Sequence, residues 1–438
     1  MGPLTVGIDI GTTSVKAVAA DAAGTIVSRA RSPHELHAPD PDTFEHDASA
    51  AWVDGVLAAW DAVGERRDIA GITVSAMVPS LCGVDAHGQP VTPGLLYGDG
   101  RGRGVGAGDT VEGEIVGFAR ALGGLPGVEA LWPAQAVANH ALCGVGAIDT
   151  STAMTMAPLF TGTGWDPSLL ASLGLSADQL PAFVPGTDPI GDRDGIAVSG
   201  GTIDALAEQL VAGADHDGDV LVVVGTTLIC WAVTEGWPEI PGLWTVPHTA
   251  PGRTLVGGAS NAGGLFCDRV RRLTGDPLLD LTTLRPDQVP VWVPYIRGER
   301  TPWHDPDRRA SLHGIDLTHG ADAVLRAAHE ASGFVVRHHL DLAGIEPGRL
   351  VVVGGGTHVT PWMQALADTT GVPVHVTHVP EGAALGAAFT ARVTAGLESE
   401  VGDGRRWART RDVIDPDPAW QRACDERYQR YLQLLSLI

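Results

Sequence analysis

Residues 4–20 read LTVGIDIGTTSVKAVAA. The run 4–10 is apolar apart from Asp9, Gly11-Thr12-Thr13-Ser14 has the composition of a tight turn, and 15–20 resumes an extended pattern. Such a stretch predicts a β-hairpin with a polar tip. Ala23-Gly24 offers another turn before Thr25-Ile26-Val27, so the first three strands form a meander. The same pattern returns at 220–233, where the buried-strand run VLVVV ends in Gly225-Thr226-Thr227 and an extended run from Leu228 to Val233 follows. Between the two lies the polar, glycine-bearing stretch GADHDGD at 213–219. An internal duplication with one hairpin per half is therefore expected, in an α/β protein whose domains cover 1–215 and 216–438.

Further along, helices are expected at 48–63 and 168–173 and strands at 70–74 and 81–84, with a glycine-rich loop from Gly98 to Gly108. Val324, Ala328, Ala331, Val335 and Leu342 recur at the spacing of an amphipathic helix over 323–342. A strand at 349–353 runs into Gly354-Gly355-Gly356, a helix begins at Pro361, 398–418 reads as charged and irregular, and 419–436 as a closing helix.

The backbone N–H groups of a Gly-Thr-Thr turn point into a concavity that suits phosphate oxygens, and small hydroxyl side chains add donors without blocking approach. An ordinary hairpin tip is the plain alternative for either turn alone. Two turns in equivalent places, together with the triple glycine, argue instead for a nucleotide phosphate held between two domains. Asp9 ends the first strand, where a carboxylate can hold a magnesium ion, and Lys16 lies across the hairpin from it as the only lysine in the chain. Asp204 follows Gly200-Gly201 where a helix-forming run begins, so it is either a simple helix-start residue or the carboxylate that accepts a hydroxyl proton in phosphoryl transfer.

These residues resemble the FGGY carbohydrate kinases of the actin, Hsp70 and hexokinase superfamily. Gly7 to Lys16 is similar to the family's first phosphate motif, Val224 to Thr227 to its second, and Val353 to Gly356 with Trp362 to Asp368 to its adenosine motif. Gly298-Glu299-Arg300-Thr301-Pro302 through Asp305-Pro306 is similar to its GERxPxxDP signature, and Glu381 to Ala388 resembles the helix that follows the adenosine motif. The resemblance implies two ribonuclease H-like (actin-like ATPase) domains flanking a catalytic cleft, with ATP and Mg²⁺ as cofactors and a ketose or polyol as substrate. It implies phosphate contacts from Thr12, Thr13, Ser14 and Lys16, a terminal-phosphate contact from Thr226, nucleoside contacts from Gly263, Gly355 and Gln364, Mg²⁺ at Asp9 and a catalytic base at Asp204. On the sugar side Tyr97-Gly98-Asp99-Gly100-Arg101 resembles a substrate segment. The xylulokinase pattern, however, has a Gln-Met-His-Gly run where this chain reads Met77-Val78-Pro79-Ser80. Val78 and Pro79 supply no imidazole donor, so a preference other than D-xylulose is expected.

Composition narrows the alternatives. Lys+Arg 29 against Asp+Glu 52 gives a net charge of −23, which would repel a phosphate backbone and argues against a nucleic-acid partner. No apolar run reaches the roughly 18 residues that cross a bilayer, and no basic n-region precedes an apolar h-region, so a cytoplasmic protein with no membrane partner is expected. The five cysteines, Cys82, Cys143, Cys230, Cys267 and Cys424, form no CxxC pair and read as buried small hydrophobes. The glycine-rich 102–108 stretch lacks the preceding strand of a dinucleotide loop, and His34, His37, His338 and His339 lack metal-site spacing. No GxSxG elbow marks a hydrolase. A non-catalytic nucleotide-driven clamp of the chaperone type shares the hairpins but gives no reason for Asp204 or the 298–305 signature. The kinase reading is compatible with a homodimer.

Overall fold

Strands rich in valine and isoleucine that are buried on both faces belong in the interior of a sheet covered by helices, and the two apolar hairpins seed two such sheets. The computed structural model describes all residues except 1, 41, 65–67, 103–110, 185–186, 249–251, 276–283, 379–380 and 438, and of 111–112 the backbone only. In the first sheet β1 (Leu4–Ile10) pairs antiparallel with β2 (Ser14–Ala20), and β2 with β3 (Ile26–Pro33). On its other side β1 runs parallel to β4 (Ile69–Ala76), which is parallel in turn to β6 (Ile196–Ser199) and β7 (Thr202–Ile203); β5 (Pro189–Arg193) closes that edge.

The second sheet repeats the scheme. β8 (Asp219–Val224) pairs antiparallel with β9 (Leu228–Glu235), whose other neighbour β11 (Arg253–Ser260) also pairs with β10 (Trp244–Pro247). On the opposite side β8 is parallel to β12 (Arg349–Val353) and β12 to β13 (Val374–Thr377). Three antiparallel strands with parallel strands added beside the first is the expected ribonuclease H-like arrangement, present twice. Parallel neighbours need a crossover, and the helix Ala321–Ala343 lies between β11 and β12, the helix Thr360–Thr370 between β12 and β13.

The chain divides into two compact units, Met1–Val211 with Glu381–Trp407, and Ala212–Pro380 with Ala408–Ile438. These packing units differ from the expected division at 215/216: the first ends at Val211, and the segment 381–407 packs with it. Its helix Gly382–Thr394 explains why. A Cβ on Gly7 would lie 1.9 Å from the Ala384 carbonyl oxygen, one on Gly71 2.5 Å from that of Ala391, and one on Gly386 1.9 Å from that of Ala207. Thr5 Oγ1 donates to the Ala388 carbonyl at 2.7 Å. Small residues thus let this helix touch both β1 and β4 and the helix Asp204–Ala212 at backbone distance.

The second unit's core is held partly by charge. Arg326, Glu330 and Asp368 are fully buried, and Arg326 bonds both Glu330 Oε1 at 2.8 Å and Asp368 Oδ2 at 2.7 Å, while Arg427 closes on Glu330 Oε2 at 2.7 Å. The expected irregular stretch 398–418 instead contains β14 (Thr410–Ile414), antiparallel to β13; its burial is slight, so its apolar signal is weak. The expected helix at 48–63 is a π-wound turn Ser49–Asp54 running into the helix Gly55–Ala62. The glycine-rich loop lies outside the described residues from 103 onward. All five cysteines are free.

Gly7→Ala should cost at least about 3 kcal/mol, the upper end of overpacking penalties, because backbone occupies the space. Gly124→Ala, where a Cβ meets nothing within 4 Å, is the matched control and should be near neutral. Urea unfolding of the two variants checks this, and equal midpoints would refute it.

Candidate active site

In a parallel sheet, side chains and loops that follow the carboxyl ends of neighbouring strands converge, and ligands bind there. Register brings the first unit's candidates together in this way. Asp9 is aligned with Ser75, Ser75 with Thr202, and Ala76 with both Ile10 and Ile203. Asp9 at the end of β1, Met77-Val78-Pro79 after β4, and Asp204 after β7 therefore emerge at one sheet end. Lys16 is the direct cross-strand partner of Asp9.

Asp9 is nearly buried and accepts from Ser75 Oγ at 3.1 Å. Burial holds its carboxyl above the ordinary range, against the opposing pull of Lys16 and Ser75. Asp204 is the first residue of its helix, and its Oδ1 accepts from the Ala205 N–H at 2.7 Å. One turn further along that helix stands Glu208, which sequence reasoning missed. It is buried, its Oε2 has no hydrogen-bond partner among the described residues, and it accepts from the Ala383 N–H at the start of the helix Gly382–Thr394. Burial, then the charges of Asp9 and Asp204, push Glu208 up to about 8, while Lys16 acts in the other direction. Its helical DALAEQL context looks like an ordinary exposed face, and the spacing of four from Asp204 is the sole hint. Three acidic side chains thus lie near one lysine ammonium, and a divalent cation bound there would favour their ionised forms.

Each hairpin tip has its carbonyls pinned. In the first unit Gly11 N–H bonds the Ser14 carbonyl at 3.1 Å, His34 N–H the Thr13 carbonyl at 3.1 Å, and His46 Nε2 the Thr12 carbonyl at 2.8 Å. Thr12 is half-buried, Thr13 exposed and Ser14 buried. In the second unit the Gly264 and Leu265 N–H groups take the Gly225 and Thr226 carbonyls at 2.9 and 3.0 Å. Gly263 is buried, and a Cβ there would lie 2.2 Å from the Thr227 carbonyl carbon. This glycine lets the chain seat against the turn. Gly355, after β12, is exposed with open space beside it. The amide nitrogen of Gln364 bonds Asp368 Oδ1 at 2.9 Å and the Asp415 carbonyl at 3.0 Å, so both of its N–H groups are engaged within the protein.

Asp99 is fully buried, accepting from Phe44 N–H at 2.7 Å and from Arg101 at both oxygens, so both of its oxygens are engaged within the protein. The 298–305 signature is a brace as well. Glu299 accepts from Ser260 Oγ at 2.7 Å, Asn261 N–H at 3.1 Å and Arg300 N–H at 2.7 Å, fixing the chain that leads from β11 to Gly263.

Two ribonuclease H-like units, each with a glycine–hydroxyl turn and one with an aspartate at the sheet end, define an actin-like ATPase fold. The chain belongs to the FGGY family of carbohydrate kinases: residues 4–107 match its N-terminal domain and 220–395 its C-terminal domain. A xylulose kinase of Streptomyces coelicolor is 29% identical over 93% of this chain and 91% of its own. Among solved structures, a ligand-bound xylulose kinase and a gluconate kinase, both from Lactobacillus acidophilus, superpose with TM-scores of 0.84 and 0.83 at 20% and 19% identity, covering 99% of this chain and 98% of theirs. The protein is accordingly an ATP-dependent carbohydrate kinase. Among the described residues no helix is long and apolar enough to cross a membrane.

The raised Glu208 value gives a signed expectation. Its folded pKa, about 8, exceeds the ordinary 4.5, so the stability it contributes is full below pH 4.5 and is lost as pH climbs toward 8. Glu208→Gln, neutral at every pH, should gain on the parent by up to about 1.4 kcal/mol per pH unit across that window. Urea unfolding of both proteins at several pH values without nucleotide or metal tests it; a constant difference would show that Glu208 is not held protonated.

Proposed function

We propose that this kinase transfers the γ-phosphoryl group of ATP to a hydroxyl of a ketose or polyol other than D-xylulose, with Asp204 as the general base. The observation that carries the reading is the register that aligns Asp9, Ser75 and Thr202, since it supports a common site for Asp9, Val78-Pro79 and Asp204 at one sheet end. Asp9 would hold Mg²⁺, which when bound offsets charge on the transferring phosphates. Thr12, Thr13 and Lys16 in the first unit would meet phosphate oxygens, and Thr226 in the second the terminal phosphates. The space beside Gly355 suits the nucleoside side, and Gln364 would act there through its carbonyl oxygen. In such a site the protein's work is positioning and electrostatics more than covalent chemistry. Asp204, ionised at a helix start, takes the proton from the attacking hydroxyl as the phosphoryl group loosens.

Asp204→Asn should leave ATP affinity nearly intact and lower sugar-dependent turnover by at least about 10²-fold, the effect of losing a general base. Turnover within threefold of the parent would remove Asp204 from that role, and ATP hydrolysis indifferent to any sugar would favour the clamp reading.

The sugar preference rests on Val78 and Pro79, which follow β4 without offering a side-chain donor. A buried hydroxyl without a partner loses about 1–3 kcal/mol. In a coupled ADP assay with pentuloses, pentitols, hexuloses, gluconate and glycerol, D-xylulose should not rank first by kcat/KM; if it does, this reading of the pocket fails.

A further inference from the structure

His46 is the second residue of the two-residue strand Glu45–His46, is fully buried, and is linked to the first hairpin tip although 34 residues separate it from Thr12. Its Nδ1 accepts from Trp52 Nε1–H at 3.1 Å, which leaves the proton on Nε2, and Nε2–H donates to the Thr12 carbonyl at 2.8 Å. The His34 ring stands edge-on at 4.5 Å between centroids, and burial lowers His46 to about 4, so the ring stays neutral at ordinary pH.

The strand carrying His46 is itself braced. Asp99 takes the Phe44 N–H, Arg101 links Asp99 to Glu45 in an ion pair, and the strand pairs with Gly94–Leu96. A Cβ on Gly94 would lie 2.3 Å from the Trp52 ring, so Trp52 is wedged in the orientation that fixes the imidazole. Tyr97, from the same segment as Asp99, places its hydroxyl 3.3 Å from Thr12 Oγ1. Thr12 is thereby gripped at its carbonyl and at its hydroxyl.

We infer that His46, oriented by Trp52, is a positioning residue for nucleotide binding: it holds the Thr12 peptide so that the tip's N–H groups face the phosphates. The other unit does the same job with helix N–H groups from Gly264 and Leu265. In the first tip a side chain must supply the donor, because the carbonyl would otherwise turn toward the phosphate oxygens and repel them. This inference rests on the reading of the Gly11 to Ser14 turn as a phosphate site.

The test has two parts. Acylation of Lys16, mapped by peptide analysis with and without ATP·Mg²⁺, examines the phosphate reading in the parent protein; undiminished labelling under saturating nucleotide overturns that reading and this inference with it. If Lys16 is protected, His46→Leu should raise the KM for ATP roughly five- to tenfold, the size of one lost hydrogen bond, with the sugar KM unchanged. His46→Gln should recover most of the loss, because its amide can donate to Thr12 and accept from Trp52. An unchanged ATP KM in folded His46→Leu overturns the inference while leaving the phosphate reading intact. Should His46→Leu not fold, Trp52→Phe, which removes the N–H that orients the imidazole together with part of the buried ring, decides by the same measure in folded protein: a raised ATP KM with the sugar KM unchanged supports the inference, and an unchanged ATP KM overturns it.

Discussion

The backbone-distance contact of the helix Gly382–Thr394 is the constraint on which the first unit depends. Gly7 lets β1 approach it, Gly71 admits β4, and Gly386 admits the helix Asp204–Ala212. A side chain at any of the three would wedge apart the elements that carry Asp9, Val78-Pro79 and Asp204. The same contact buries Glu208 under the helix start, with its Oε2 left without a hydrogen-bond partner among the described residues. Close packing and the electrostatics of the site are therefore one arrangement, bought with glycine and alanine where larger residues would bury more surface.

Charge follows from that enclosure. A carboxylate exposed to water keeps its proton affinity low, but burial pushes both Asp9 and Glu208 upward, and the charge of Asp9 adds to the shift of Glu208, which is held neutral. Lys16, the chain's only lysine, opposes the shift.

The duplication preserves the fold but not the way each turn is secured. In the second unit the helix Gly264–Leu273 begins against the turn and its first N–H groups satisfy the carbonyls. In the first unit that work falls to His46 and the His34 amide, and the segment from Tyr97 to Arg101 braces the strand that carries His46. Asp99 and Glu299 are alike in this respect. Both stand in stretches that resemble family motifs, and both are buried with their oxygens engaged in holding neighbouring chain.

The hairpins, the second-half repeat and the helices at 321–343, 360–370 and 418–435 were legible from composition because they are local: alternation, turn chemistry and helical spacing act over a few residues. Asp9, Lys16, the two glycine–threonine turns and Asp204 at its helix start were candidates for the same reason, and the family resemblance gave them their expected roles. Tertiary structure alone decided the rest. The return of 381–407 to the first unit, the burial of Asp99, Ser14 and Gly263, the internal bonding of Gln364, and the parts of Glu208 and His46 all depend on contacts between residues far apart in the chain. Burial and hydrogen-bond partners are properties of such contacts, and a sequence states a residue's chemistry without stating what surrounds it.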